Sequence, residues 1–196
     1  MGAEPLAERS SPEVAPRIRA FFGLPLPEPQ RASLAGFVAA CNEAAPHFRW
    51  TPAANLHLTV RFIGGVERHM VEGIADRVEA RTPAGVDVEL GDLGTFKRGR
   101  LVRVVWLGLS SGLKPLATLA AEVEEECVKA GLAAETRPFR AHLTLARARA
   151  RDGAILPALP TTPKLEAWRA GELVLYASHL GRSGAVYEPL RLVKLD

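Results

Sequence analysis

One tetrapeptide occurs twice in this chain. His57-Leu58-Thr59-Val60 returns as His142-Leu143-Thr144-Leu145, each H-L-T-aliphatic, and the chain has five histidines in all. Background composition would produce such a pair in on the order of one chain in ten thousand. Each copy lies where apolar and polar residues alternate, over 55–63 and 140–146, which is the period of a strand. In a strand, side chains i and i+2 share a face. His57 and Thr59 then point one way, while Leu56, Leu58 and Val60 point the other. His142 and Thr144 likewise stand opposite Ala141, Leu143 and Leu145. The aliphatic residues anchor each strand to a core, and an imidazole and a hydroxyl face away from it. Two such strands flanking one cleft suit phosphoryl transfer. A neutral imidazole takes a proton and an imidazolium gives one, both near pH 7. The hydroxyls donate hydrogen bonds to non-bridging oxygens. Two other readings fit the same residues: half-buried strand histidines that merely look alike, and a metal site. A metal site would want a third His or a carboxylate, and Thr at i+2 is a poor zinc ligand.

The rest of the chain sets bounds on this chemistry. Its 196 residues fit one domain, or two small lobes sharing a core. With 47% apolar and 24% charged residues, a largely disordered chain is excluded. The net charge, 25 − 22 = +3, permits an anionic ligand without demanding one. No apolar run approaches the ~20 residues that cross a bilayer, and residues 1–16 lack the apolar stretch of a secretory signal. They read as a flexible leader, with a single domain over 17–196. Cys41 and Cys127 are too few for a disulfide framework and fall in helix-like segments. They read as small buried hydrophobes in a reducing, cytoplasmic compartment.

Periodicity predicts strands over 17–23, 55–63, 86–90, 101–109, 140–146, 172–179 and 185–195. It predicts helices over 30–45, 67–81 and 113–130, the last stopped by Gly131. Lys97-Arg98-Gly99-Arg100 reads as a basic hairpin tip, 151–164 as a loop and 181–184 as a turn. Glu122, Glu124, Glu125 and Glu126 read mostly as the wet face of the third helix. By parity, Arg61 and Arg140 share the motif faces. Trp50, Trp106 and Trp168 read as core or edge packing, and His47, His69 and His179 as incidental. Strands outnumber helices and several are joined by hairpins, which favours α+β with antiparallel or mixed sheets. The two motifs lie in the two halves of the chain, as in a duplicated half-fold. No Gly-rich loop opens a helix, so a nucleoside triphosphate site has no support.

The tetrapeptides do not stand alone. Arg17 to Phe22, Arg49-Trp50-Thr51-Pro52, Arg61-Phe62-Ile63-Gly64, Arg137 to Ala141, Ala146-Arg147 and Tyr187-Glu188-Pro189-Leu190 accompany them. Together they resemble the RNA 2′,3′-cyclic phosphodiesterase (2′-5′ RNA ligase-like) family of the two-histidine phosphoesterase superfamily, defined by two H-x-[ST]-x motifs. The resemblance runs from about Arg17 to the C-terminus. It implies a bilobal α+β fold, with two pseudo-symmetric, mostly antiparallel sheets around a central cleft and helices on the outer faces. It implies hydrolysis of RNA 2′,3′-cyclic phosphate ends, or of cyclic nucleotides, to 2′-phosphomonoesters. No metal, cofactor or membrane partner is implied, and 2′-5′ RNA ligation would be a side activity. By motif order His57 is the proton donor to the leaving 3′-oxygen and His142 the acceptor that activates water. Thr59 and Thr144 would hold phosphoryl oxygens, Arg147 would contact phosphate, and Phe62 would stack on a base. Strand parity speaks against the last two, because three residues on from a threonine is the core face. A monomer is expected, since one chain carries both motifs. The four motif residues also suit a non-catalytic RNA-end-binding module, or a phosphodiesterase for another small cyclic or 2′-5′ phosphate.

Overall fold

A computed structural model of the chain describes residues 16–181 and 184–196. Nearly all of the expected leader, and the middle of the expected turn at 181–184, lie outside the described residues. The strands are β1 (Arg17–Pro25), β2 (Phe48–Trp50), β3 (His57–Glu67), β4 (Val86–Arg98), β5 (Leu101–Ser111), β6 (Leu143–Ala148), β7 (Trp168–Ala170), β8 (Glu172–Gly181) and β9 (Gly184–Lys194). The helices are α1 (Glu28–Ala44), α2 (Arg68–Glu79) and α3 (Leu113–Lys129). The fold is α+β. The short strands β2 and β7 carry no period of their own, and they form because a neighbouring edge is free: β2 pairs with β6 and β7 with β4.

Every strand pairing among the described residues is antiparallel. The order is β7-β4-β5-β6-β3-β1-β8-β9, with β2 beside β6. The strand that carries each motif's threonine, β3 or β6, is innermost in its half-sheet. The two half-sheets meet at a single residue pair, Leu58 with Leu143. They are therefore one sheet with a seam rather than two separate sheets. The lobes are also not the two halves of the chain. One lobe takes β1 and β3 from the start and β8 and β9 from the end, and the middle of the chain, with β2 from between β1 and β3, supplies the other.

Period-two alternation sends Phe22, Leu24, Leu58, Leu143, Leu145, Leu107 and Leu175 to one side, where all are buried. The helices cover that side with Leu34 and Cys41 from α1, Val71 and Ile74 from α2, and Leu116 and Val123 from α3, in one continuous core. The uncovered side becomes the cleft. α3 ends as expected: Gly131 takes φ 87°, its N–H donates to Val128, and the N–H of Leu132 donates to Cys127. That is a Schellman stop, which needs the left-handed backbone that glycine adopts without strain. Burial pushes the thiols of Cys41 and Cys127 up to about 11, in keeping with their role as core residues.

Glu126 departs from the wet face predicted for it. It is 4% exposed, at the seam between α2 and α3. Arg81 at 2.9 Å, Lys129 at 3.0 Å and Arg77 at 3.3 Å surround its carboxylate. Lys129 and then Arg81 hold it below its ordinary value of 4.5, against the opposing effect of burial. A carboxyl lowered by folding stabilises above its ordinary value, and this contribution is lost as pH falls through the lowered one. Glu126→Gln is therefore expected to cost about 1 kcal/mol at neutral pH, a modest figure because the three cations are partly solvated. Urea unfolding should show the gap between variant and parent narrowing as pH falls below the ordinary carboxylate value of 4.5. A gap that does not change on acidification would assign the loss to packing instead.

Candidate active site

The seam pair organises the cleft. In an antiparallel ladder centred on Leu58 and Leu143, His57 falls opposite Thr144 and Thr59 opposite His142, all on the face away from the leucines. The sheet thus brings together two motifs that lie far apart in the chain. β6 begins at Leu143 rather than at Arg140, so His142 stands just before the strand while His57 opens β3.

Each imidazole is held in the same way. His57 Nδ1 lies 2.8 Å from the carbonyl oxygen of Asn55, and His142 Nδ1 lies 2.7 Å from that of Arg140. A carbonyl only accepts, so Nδ1 carries the hydrogen on both rings and Nε2 is left for the cleft. Asn55 is itself fixed, because its side-chain N–H donates to the carbonyl of Ala185 at 2.9 Å. Arg140 therefore enters the site through its backbone, while its side chain is exposed.

Aromatic rings wall each histidine. Phe21 lies 4.7 Å from His57 between ring centroids, and Tyr187 meets His57 edge-on at 5.2 Å. Tyr176 stacks on Phe21 at 5.1 Å. Across the seam, Phe96 meets His142 edge-on at 5.2 Å, and Trp106 lies 6.2 Å away. Trp106 was expected in packing, but it faces the cleft, whereas Trp50 and Trp168 are buried as expected. Its six-membered ring lies against Gly94, where an added Cβ would sit 2.3 Å from the indole. Only glycine permits that approach.

Both histidines are lowered from the ordinary imidazole value, chiefly by desolvation under these rings. The bonds to Asn55 and Arg140 oppose this, and the positive charge of Arg147 adds to the lowering at both sites. His142 adds a further, smaller push on His57.

Arg147 reaches this position through a bulge. On β6, Thr144 pairs with Trp106 and Ala146 with Val105, so Leu145 has no partner on β5. The extra residue resets the parity, and Arg147, opposite Val104, returns to the face of Thr144. β3 does the same. Thr59 pairs with Gly23 and Arg61 with Phe22, which leaves Val60 unpaired and turns Phe62 to the face of Thr59. The two bulges occupy equivalent places, one residue after each threonine. The parity objection to Arg147 and Phe62 is thereby removed. Phe62 is 41% exposed, with the Arg19 guanidinium 4.5 Å over its ring.

The same bulge moves Arg61 out of the cleft. It turns to the helix side, binds Glu124 of α3 and donates to the carbonyl of Ala133 at 2.9 Å. Glu124 is thus also less free than a wet-face residue. His47, in a turn, and His69, on α2, are exposed and belong to no strand, and His179 pairs with Glu188 at 2.9 Å. No three His, Cys, Asp or Glu side chains come together as a metal-holding group among the described residues. Phe21, Phe96, Tyr176 and Tyr187 were not among the expected site residues. Tyr187 lies in one of the matching segments, but nothing local aims it at His57.

The chain is similar to known proteins over most of its length. Residues 27–182 match the model of the 2′-5′ RNA ligase superfamily. The RNA 2′,3′-cyclic phosphodiesterase of Aeropyrum pernix is 32% identical over 146 residues, covering 71% of this chain and 82% of that protein. The enzyme of that name from Escherichia coli is 29% identical over 178 residues, covering 88% and 94%. The crystal structure of Escherichia coli LigT complexed with 3′-AMP superposes with a TM-score of 0.76 at 29% identity, covering 91% of this chain and 98% of that one. With the duplicated motif, the pseudo-symmetric seam and this likeness all in hand, the chain belongs to the 2′-5′ RNA ligase superfamily.

Proposed function

We propose that the protein hydrolyses RNA 2′,3′-cyclic phosphate ends to 2′-phosphomonoesters without a metal, by acid–base catalysis between His57 and His142. The observation that carries this reading is the matched pair of bonds from Nδ1 to a backbone carbonyl, which leaves two Nε2 atoms on one cleft face. His142 Nε2 takes a proton from water as its oxygen attacks phosphorus. His57 Nε2–H gives its proton to the leaving 3′-oxygen. The P–O3′ bond breaks, the P–O2′ bond stays, and a 3′-hydroxyl is released. Thr59 and Thr144 donate to the non-bridging oxygens, and Arg147 balances their charge. Phe62 offers its exposed ring to the terminal base. These roles follow motif order. A pKa lowered by desolvation also makes the His57 imidazolium a readier donor. An RNA 5′-hydroxyl attacking in place of water, with the same two proton transfers, would make a 2′-5′ linkage, which we read as a side activity.

One chain supplies both motifs, which supports a monomer. The buried, unpaired thiols fit a reducing cytoplasm. No helix among the described residues is long and apolar enough to cross a membrane. The reading is tested by incubating the protein with adenosine 2′,3′-cyclic phosphate in excess chelator and following phosphorus by NMR. Adenosine 2′-phosphate is the only product expected. Accumulation of the 3′-isomer, or turnover that requires added metal, would overturn the mechanism. Binding without turnover would favour an RNA-end-binding module.

A further inference from the structure

The catalytic face of β1 continues past the aromatic wall. Along this strand Phe21, Arg19 and Arg17 share the cleft side, while Ile18, Ala20 and Phe22 face the core. Phe21 touches His57. Arg19 is one face position further on, about 6.8 Å along the strand. A nucleotide has twice as many backbone bonds as an amino acid, so an extended nucleotide step also spans roughly 7 Å. In the ladder His57 and Thr59 stand opposite Pro25 and Gly23, but the Phe21 ring leans back onto His57, so a phosphate one nucleotide step beyond that ring falls within side-chain reach of Arg19.

A cavity is present there. About 430 Å³ of space opens where β1 and β8 part, lined by Arg17, Ile18, Arg19, Ser178 and His179. Beyond Ala20 and Ala177 the two strands no longer pair, which leaves room between Arg19 and Ser178. Arg19 is exposed, and its guanidinium lies over Phe62, which places it at the edge of the site. Tyr187, against His57, lies within reach of the charges of both Arg147 and Arg19, which links the two positions. The opposite end of the same face holds a second cavity of about 510 Å³, near Pro25, Arg31 and Trp168, but Glu172 is in its lining. A carboxylate there repels phosphate, whereas no carboxylate lines the Arg19 cavity itself, where Glu188 is bound to the lining residue His179. Arg17 spends a donor on the carbonyl of Gly65 and faces Glu67 across the ladder, so Arg19 is the better placed of the two arginines.

We propose that Arg19, with Ser178 beside it, forms a second phosphate subsite that binds the 5′-phosphate of the terminal nucleotide, so that the enzyme favours strand ends over free cyclic nucleosides. The subsite rests on the hydrolase reading above and sets the direction in which the RNA leaves: along β1 toward Arg17. Arginine suits this task because its planar fork meets two phosphate oxygens at once.

Two probes isolate the subsite: adenosine 2′,3′-cyclic phosphate with a 5′-hydroxyl, and the same compound with a 5′-phosphate. The readout is the ratio of their kcat/KM values. A ratio of about 10 in favour of the 5′-phosphate is expected, carried by KM rather than kcat. Arg19→Ala should bring the ratio to within about twofold of one, Arg19→Lys should restore part of it, and Arg31→Ala should leave it in place. A ratio near one in the parent protein would overturn the proposal. So would an Arg19→Ala variant that slows both probes alike, or a ratio that collapses in Arg31→Ala instead. If neither probe turns over, the hydrolase reading fails by itself. The same ratio, read as Kd by calorimetry, then still decides the subsite.

Discussion

His57→Ala and His142→Ala each lower kcat on a 2′,3′-cyclic phosphate end by about 10²–10⁴-fold, the range for losing one positioned acid or base. The double variant is expected to be no more than about tenfold worse than the poorer single one, because either loss already stops the paired proton transfer. Folding should be little affected. Both rings lie on the cleft side of the sheet, and the neighbouring Leu58 and Leu143, fully buried at the seam, carry the packing. Urea midpoints close to the parent value are the control that separates chemistry from collapse. Single variants that keep near-parent kcat would end the two-imidazole mechanism, whichever ring gives and whichever takes the proton.

Arg147→Ala should show two effects together. If the guanidinium donates to the phosphoryl oxygens as proposed, its removal is expected to cost about 10²-fold in kcat/KM. The same change moves both limbs of the pH profile to higher pH. The sign follows from charge. The guanidinium disfavours an imidazolium on His57 and on His142, so it helps to hold both below their ordinary value. Without it each ring keeps its proton to a higher pH. Desolvation is the larger cause and remains, so the limbs should stay below the ordinary imidazole value of 6.5. Arg147→Lys should restore the pH profile, which needs only the charge, more fully than the rate, which needs the planar fork. A profile unmoved in Arg147→Ala would mean that the guanidinium acts on the phosphate alone. A shift to lower pH would contradict the electrostatics.

The motif histidines and threonines were legible in the sequence because a strand's period is local. His57 and Thr59 share a face whatever their strand pairs with. The α3 stop was legible for a similar reason, since Gly131 is what a left-handed cap requires. The residues at i+3 behaved differently. Counting by two from Thr59 sends Arg61 to the cleft and Phe62 to the core, and the structure reverses both. The reversal belongs to no single strand. Val60 and Leu145 bulge only in relation to the partners that skip them, β1 and β5. Trp106 and Tyr187 were missed on the same ground, since their neighbours in the chain do not indicate that a histidine stands beside them.

From the chain alone came the duplicated imidazole–hydroxyl pair, its exposure on one face of each strand, the α+β class and the family resemblance. All of these rest on short-range periodicity or on the identity of side chains. The tertiary structure decided that the lobes are woven from both chain ends and the middle, that they touch at Leu58 and Leu143, and that paired bulges swing Arg147 and Phe62 into the cleft. Those features depend on register between strands distant in the chain. Register is settled by burying whole faces at once, a property that no local stretch of residues carries.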